Sequence, residues 1–110
     1  MNILPKSDKV VIPIEKFTKY ALNPEKDADK AIAFDRALGY NVNNVDKLIE
    51  QIRENIDKYP AREKGNLGYG MRYEVAMNII GANGKTVKVL TGWIDDASNG
   101  EMRLTTVHVD

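Results

Sequence analysis

The segment 72–94, RYEVAMNIIGANGKTVKVLTGWI, decides the fold of this chain. Apolar and polar residues alternate along Arg72–Ile80 and again along Lys85–Ile94, which is the period of a β-strand with one buried face. Asn83-Gly84 separates the two runs and is typical of a two-residue hairpin turn, because both residues tolerate positive φ. After a polar loop, the alternation returns in Glu101–Asp110. The C-terminal part of the chain is therefore predicted to be a three-stranded antiparallel meander.

Helices are predicted ahead of this sheet. One helix is expected within residues 27–39, where an aspartate at the start acts as a cap and Gly39 ends the helix. A second helix is expected within residues 43–60, since apolar residues recur every three or four positions between an asparagine cap and Pro60. A shorter helical turn is expected over Ile14–Leu22. This order indicates an α+β fold, with two or three N-terminal helices packed on the C-terminal antiparallel sheet.

The remaining segments set the predicted domain boundaries. At 110 residues the chain has the length of one domain, which we place at residues 10–110 behind a loose leader of residues 1–9. Val10–Ile12 is a short apolar run suited to a fourth strand at an edge of the sheet. Residues 61–70, rich in charge and glycine, are the one segment expected to form a linker or mobile loop.

Composition narrows the possible functions. Sixteen Lys and Arg residues balance sixteen Asp and Glu residues. This neutrality counts against a nucleic-acid binder, which usually has a basic excess, although a local cluster in the fold can still supply a positive field. The absence of cysteine excludes disulfides and thiolate metal sites. No apolar run approaches the roughly 20 residues needed to cross a bilayer, and the N-terminus lacks the layout of a signal peptide.

Polar side chains are concentrated on the predicted strands. Arg72 and Arg103 carry planar guanidinium groups suited to phosphate or carboxylate, but they pair equally well with Glu74 or Glu101 across the sheet. Threonine hydroxyls can bind phosphate, although threonine is also common in strands for steric reasons. The threonines in question are Thr91, Thr105 and Thr106. Together these residues predict an anion-binding face without naming a reaction.

Other candidate residues also have two interpretations. His108 is the one histidine and has the side-chain type that most often carries protons in catalysis, yet it lies close to the chain end. Lys30 opposes the dipole at the start of a predicted helix, which is unfavourable unless the charge is used or paired with a neighbouring aspartate. Trp93 can stack on a base or anchor the core, and Tyr69 has the same two uses.

Seven segments along the chain stand out together for their sequence and their order. They are 11–16 (VIPIEK), 22–24 (LNP), 29–40, 69–73, 81–85, 91–94 (TGWI) and 103–106 (RLTT). In this order they resemble a small uncharacterised bacterial domain that often forms the C-terminal tip of polymorphic and contact-dependent inhibition toxins. The order of helices before an antiparallel sheet also resembles the metal-independent ribonuclease fold of barnase, certain colicins and RelE.

The resemblance implies a toxin-type ribonuclease that cleaves tRNA or other RNA without a metal ion or another cofactor. It implies an immunity protein as a partner and the cytoplasm as the place of action. It also implies that the domain is delivered as part of a secreted toxin. Catalysis would use Lys30 with Arg72 or Arg103 on the phosphate. Thr91 and Thr105 would orient the phosphate, and His108 would move a proton. The residues expected to bind substrate are Tyr69, Trp93, Arg103 and Thr106.

Two other classes of function fit the same residues. The first is a non-catalytic partner-binding protein, such as an immunity protein or antitoxin. The second is a small-ligand-binding module that uses the polar row as ligand contacts. A nuclease predicts that the polar residues converge in one cleft, whereas a protein binder predicts that they scatter beside an exposed apolar patch.

Overall fold

The α+β fold is confirmed. A computed structural model describes residues 1–110, and its four strands form one antiparallel sheet in the order β1-β2-β3-β4. Helical segments precede the sheet, beginning with a 3-10 turn and a single π-helical turn. The elements are the 3-10 turn Ser7–Lys9, the π-turn Phe17–Ala21, α1 Ala28–Leu38, α2 Val45–Asn55, β1 Ala61–Asn66, β2 Gly70–Ile80, β3 Thr86–Asp96 and β4 Met102–Val109.

The helix α1 begins and ends where its sequence predicts. Asp27 is the N-cap, and its carboxylate accepts a hydrogen bond of 3.1 Å from the backbone N–H of Lys30. Gly39 ends the helix with φ at 71°, a conformation that glycine adopts without a steric penalty. The cap also fixes the position of Lys30 in the first turn.

The helix α2 is shorter than expected. It begins after Asn44 as predicted, but it ends at Asn55 and not at the residues just before Pro60. The Asn55 side-chain amide donates to the Gln51 carbonyl oxygen at 2.8 Å, so the last turn is closed by a side chain. The chain then turns over residues 56–59 and enters the sheet.

The sheet buries one face against the helices. The strands β2 and β3 pair without interruption from Gly70↔Asp96 to Ile80↔Thr86, and the predicted Asn83-Gly84 turn lies between them. The inward side chains of β2, β3 and β4 join apolar side chains of both helices in one core. The opposite face of the sheet, which we call the open face, carries no helix.

The expected linker contains a strand instead. Residues 61–66 form β1, which pairs with β2 through Ala61↔Val75 and Asn66↔Met71. Five of its six residues are exposed. Its sequence, AREKGN, therefore does not need the apolar alternation that marks a strand with one buried face. This strand forms because β2 offers a row of backbone partners, which a local pattern does not reveal.

The fourth strand predicted at Val10–Ile12 is only a bridge. Val11 pairs with Arg103 in parallel, its N–H donating to Met102 O at 2.8 Å while Leu104 N–H donates to Val11 O at 2.9 Å. The segment is too short to extend this pairing, so it covers part of the β4 edge.

Residues 1–9 are packed and are not a loose leader. Leu4 belongs to the core with an exposed fraction of 1%. The Lys6 ammonium donates to Asp95 and to the carbonyl oxygen of Gly100, both at 2.8 Å. Asn2 O accepts from Ala61 N–H at 2.7 Å. The segment therefore contacts the start of β1 as well as the end of β3 and the β3–β4 loop. None of the helices is long and apolar enough to span a membrane.

Candidate anion-binding site

A β-bulge in β4 shapes the candidate site. Gly92 pairs with Thr106 while Trp93 pairs with Leu104, so Thr105 is an extra residue on the β4 side. A bulge bends its strand and re-aims the neighbouring side chains. Leu104 and Val107 are both buried on the core side of the bulge.

Gly92 leaves room for two hydroxyl groups. A Cβ atom at Gly92 would clash with Thr106 Oγ1 and would lie 3.3 Å from Thr105 Oγ1. Both hydroxyls therefore lie beside Gly92 on the outward side of β3. The threonine hydroxyls that donate hydrogen bonds within the protein are those of Thr18 and Thr91, so the hydroxyls of Thr105 and Thr106 are free. Two adjacent free hydroxyls suit the oxygen atoms of a phosphate group.

Three elements join these hydroxyls in a cleft of about 180 Å³ at the β4 edge. The π-turn and the residue before it contribute Lys16 and Tyr20, α1 contributes Lys30, and β4 contributes the two threonines. We call this the cationic cleft. Its lining residues are Lys16, Tyr20, Ala21, Lys30, Thr105, Thr106 and Val107.

The lysines at the cationic cleft form no ion pairs. The Lys16 and Lys26 ammonium groups lie 5.7 Å and 5.9 Å from the centre of the Tyr20 ring, which is the range of a cation–π contact. The four ion pairs of the protein include none of Lys16, Lys26 and Lys30. The nearby N-terminus of α1 is already capped by the Asp27 carboxylate, with Asp29 in the first turn, so its dipole adds little to the cleft. A neutral chain thus carries a local group of unpaired lysines.

Part of this cluster is predictable from the sequence. Lys30, Thr105 and Thr106 are predicted site residues, and the fold brings them together. Lys16, Lys26 and Tyr20 are not predicted, because their proximity depends on how the π-turn packs beside β4. The available signal was four lysines between residues 16 and 30 around one tyrosine.

The other predicted cations lie on the open face, outside the cleft. Register places Arg72 and Arg103 on either side of Ile94, with β3 between them. The guanidinium Nη2 of Arg72 donates to Lys64 O at 3.2 Å, and that of Arg103 bonds the Glu101 carboxylate at 2.9 Å. The Nε atoms of both arginines are buried without a partner. Arg103 is therefore compensated in charge, whereas Arg72 contacts only a neutral carbonyl group.

His108 also lies on the open side of β4, opposite Leu90 of β3. It is two residues beyond Thr106, a step of about 7 Å along a strand. The buried residues Val107 and Leu104 point to the core, so the partly buried His108 side chain points away from it. His108 therefore shares a face of the sheet with Thr106.

Thr91 and Trp93 are in the core. Thr91 Oγ1 donates to Val75 O and accepts from Trp93 Nε1, each at 2.8 Å. The two residues are exposed by 0% and 1%. The polar atoms of both side chains are satisfied inside the protein, so a ligand at the surface does not reach them.

Tyr69 lies at the other end of the sheet, on the tip of the β1–β2 hairpin. Its side chain is 76% exposed. It lines a second cleft with Ile94 and Asp96 of β3, apart from the cationic cleft. The predicted residues thus divide among the cationic cleft, the open face, the core and this hairpin tip. Only Lys30, Thr105 and Thr106 converge as expected of a nuclease, and the scatter of the others is the outcome expected of a protein binder.

Metal-ligating side chains are dispersed. No group of three or more His, Asp or Glu side chains is placed to hold a metal ion. Lysine ammonium and threonine hydroxyl groups are hydrogen-bond donors to anions, so the donors in the cationic cleft select negatively charged ligands.

The fold and the cleft together define a small α+β domain with a local cationic site. The family model described as "Domain of unknown function (DUF6883)" matches residues 3–110, and the chain belongs to this family. Comparison with curated proteins and with solved structures gave no match.

Proposed function

We propose that this protein is a metal-independent ribonuclease module that holds the RNA backbone in the cationic cleft. One observation carries the proposal: Lys16 and Lys30, which have no acidic partner, flank two free threonine hydroxyls. Cations and hydroxyl donors of this kind stabilise the charge that grows on phosphate oxygens during phosphoryl transfer. The activity itself comes from the sequence resemblance to toxin ribonucleases.

The proposed reaction is an intramolecular transesterification at phosphorus. The ribose 2′-oxygen attacks the adjacent phosphate, the bond from phosphorus to the 5′-oxygen breaks, and a 2′,3′-cyclic phosphate forms. One proton leaves the 2′-hydroxyl and one proton reaches the departing 5′-oxygen, so the step needs no co-reactant. Lys30 and Lys16 bind the non-bridging oxygens, and Thr105 and Thr106 donate hydrogen bonds to them.

His108 is the proposed proton carrier. It shares the open side of β4 with Thr106, and imidazole exchanges protons near neutral pH. Arg72 lies across the sheet on the same face and would bind a neighbouring phosphate of a longer strand. Thr91 and Trp93 are not included in this proposed site, because both side chains are buried and mutually bonded.

The proposal extends to biological context through the same resemblance. As a toxin module in bacterial competition, the domain would act on tRNA or other RNA in the cytoplasm of a target cell. Delivery would be as part of a secreted toxin, and an immunity protein would cover the cleft. An acidic surface on that partner would complement the lysines.

The test is incubation of the purified protein with total bacterial RNA in the presence of a chelator. Discrete fragments ending in 2′,3′-cyclic phosphate are expected. Lys30→Ala and Thr105→Ala should each slow cleavage by at least about tenfold, as loss of a transition-state donor does. His108→Ala should slow cleavage without weakening RNA binding, because His108 is the proposed proton carrier. Arg72→Ala should weaken RNA binding, because Arg72 is proposed to bind a neighbouring phosphate.

Lys58→Ala is the matched control, since Lys58 is exposed on the turn after α2 and lies outside the cleft. Its rate should equal that of the unchanged protein. Intact RNA from a folded protein free of copurified inhibitor would contradict the proposal, as would equal losses in Lys30→Ala and Lys58→Ala.

A protein-binding domain is the second candidate. It is favoured by the open face, where no helix covers Ala76, Leu90 and Ile94. RNA that stays intact while a partner protein shifts the nuclear magnetic resonance signals of Ala76, Leu90 and Ile94 would support this candidate instead.

A further inference from the structure

The cleft beside Tyr69 differs from the cationic cleft in its chemistry. We call it the tyrosine cleft; it measures about 380 Å³ and is lined by Gly68, Tyr69, Ile94, Asp96, Ala97 and Ser98. The lining combines an exposed aromatic ring, an aliphatic residue and a carboxylate, and it contains no lysine or arginine. This lining suits a flat ligand with polar edges better than a phosphate.

The hairpin that carries Tyr69 is held in one conformation. Asn66 Oδ1 accepts from Gly68 N–H at 2.7 Å and from Gly70 N–H at 3.3 Å. Gly70 lies so close to Asp95 that a Cβ there would clash with the Asp95 carbonyl oxygen. The Tyr69 carbonyl oxygen accepts from Ala97 N–H at 3.0 Å, which ties the tip to the β3–β4 loop. The exposed ring is therefore presented by a fixed backbone, and little ordering is needed when a ligand binds.

The polar edge of the cleft consists of hydrogen-bond acceptors. Asp96 Oδ1 accepts from Ser98 N–H at 2.9 Å and from Ser98 Oγ–H at 2.6 Å. These two bonds hold the pKa of the Asp96 carboxyl below its ordinary value, and the bond from the Ser98 hydroxyl has a larger effect than the bond from the Ser98 backbone N–H. At neutral pH the group is a carboxylate whose Oδ2 accepts no hydrogen bond from the protein. Oδ2 can therefore accept from an N–H group of a ligand.

The charge around the cleft disfavours a phosphate. Two arginines flank Ile94, and neither lines the cleft. Arg103 is paired with Glu101 at 2.9 Å, and Arg72 donates to Lys64 O at 3.2 Å. Asp96 adds a negative charge at the cleft itself. A neutral ring with amino hydrogens avoids this repulsion and satisfies the carboxylate.

We propose that the tyrosine cleft binds a nucleobase, stacked on Tyr69 and Ile94, and selects bases that carry an exocyclic amino group. The carboxylate of Asp96 accepts from that amino group, as carboxylates do from cytosine. Aromatic stacking supplies affinity for any base, and the acceptor supplies the selection. Uracil, which has no exocyclic amino group, is the disfavoured base.

The biological role of this base site rests on the proposed function, in which one RNA strand would occupy both clefts. Ile94 is two residues from Gly92 along β3, a step of about 7 Å. A single RNA strand can thus place a phosphate beside Thr105 and Thr106 and a nearby base against Tyr69. Base binding itself can be measured without any cleavage.

The experiment is titration of the isotope-labelled protein with nucleosides, followed by nuclear magnetic resonance. Cytidine and adenosine at millimolar concentration should shift the signals of Tyr69, Ile94 and Ser98. Uridine should bind about tenfold more weakly, the discrimination expected for one good base-edge contact. Tyr69→Ala should abolish the shifts, and Asp96→Asn should remove the preference for cytidine over uridine.

Leu67→Ala is the matched control, because Leu67 is 69% exposed on the same hairpin tip but does not line the cleft. It should leave nucleoside binding unchanged. Equal binding of cytidine and uridine, unchanged binding in Asp96→Asn, or the absence of any shift would overturn the inference. If nucleosides bind while RNA stays intact, the base site holds and the ribonuclease proposal fails.

Discussion

At the scale of single residues, two neighbours in β3 have opposite orientations and opposite uses. Thr91 points inward and satisfies the indole of Trp93 inside the core. Gly92 points outward and, by lacking a side chain, lets Thr105 and Thr106 approach the strand. One position therefore contributes to stability, and the next contributes to the shape of the cationic cleft.

Replacing Thr91 with valine should destabilise the fold. The change removes the acceptor of the buried Trp93 N–H, and an unsatisfied buried donor costs about 1–3 kcal/mol. The measurement is the free energy of unfolding in urea, followed by circular dichroism. In a Trp93→Phe background, which has no N–H, the same change should cost clearly less. Equal costs in both backgrounds would contradict the hydrogen bond.

Replacing Gly92 with alanine should also destabilise the protein, because the new methyl group meets Thr106 Oγ1. Overpacking of this kind costs about 1–3 kcal/mol. A Thr106→Ala background removes the clash and should recover most of the loss. A Thr105→Ala background should recover less, since Thr105 Oγ1 lies 3.3 Å from the added atom. Thermal unfolding of the single and double variants measures this coupling, and no difference between the two backgrounds would refute it.

At the scale of elements, the cationic cleft depends on how α1 and the π-turn meet β4. The Asp27 cap sets where α1 begins and thus where Lys30 lies. Behind α1, the Tyr40 hydroxyl donates to Ile80 O at 2.7 Å and ties the α1–α2 loop to the end of β2. The first contact fixes the start of α1, and the second joins the end of the helical region to the sheet. Neither contact uses a side chain that lines the cleft.

The Tyr40 contact predicts a loss of stability at high pH. Burial raises the pKa of Tyr40, and burial, followed by the charges of Glu63 and Asp95, raises the pKa of Tyr73. A pKa raised in the folded state means that the unfolded chain loses its proton first. The contribution of these two tyrosines to the free energy of unfolding is therefore complete below the ordinary tyrosine pKa of about 10 and declines as the pH rises above it. Urea unfolding at a series of alkaline pH values should show this decline.

Tyr40→Phe is the variant that checks the assignment. It should be less stable than the unchanged protein near neutral pH, because the bond to Ile80 is lost. Its stability should nevertheless fall less steeply as the pH rises above 10. A slope equal to that of the unchanged protein would show that another group is responsible.

Local patterns predicted the elements that they encode and missed those that need a partner. The alternation of β2 and β3 and the caps at Asp27 and Gly39 are local features, and the structure contains them. The hairpin turn lies where Asn83-Gly84 predicts it, but it is a longer loop over residues 81–85 in which only Gly84 has a positive φ. The strand β1 has no such pattern, since only pairing with β2 makes it a strand. In the same way, Lys30 was predicted from its own helix, whereas Lys16 and Tyr20 join it only through tertiary packing.

At the scale of the whole molecule, the distribution of charge matters more than its sum. The net charge is zero, yet the cationic cleft has no acidic partner and the tyrosine cleft has a free carboxylate oxygen. A zero sum would suggest indifference to nucleic acid. The two clefts instead suit the two chemically different parts of a nucleotide.

This separation predicts a salt-dependent affinity for single-stranded RNA. Each phosphate neutralised by a cation releases counterions, so the logarithm of the affinity falls with the logarithm of the salt concentration by about 0.7 per contact. Lys30→Ala should reduce this slope by about 0.7, and Lys58→Ala should leave it unchanged. Fluorescence anisotropy with a labelled oligonucleotide measures the slope. Identical slopes for both variants would place the phosphates elsewhere.

The extra residue in β4 has a consequence for the family as a whole. Removing Thr105 would leave every other pair between β3 and β4 in place, since Leu104 would still face Trp93 and Thr106 would still face Gly92. A strand one residue shorter is therefore compatible with the same architecture. The length of this strand becomes a marker for sorting members of the family. Those with the insertion are expected to keep the paired hydroxyls, and those without it to keep the scaffold alone.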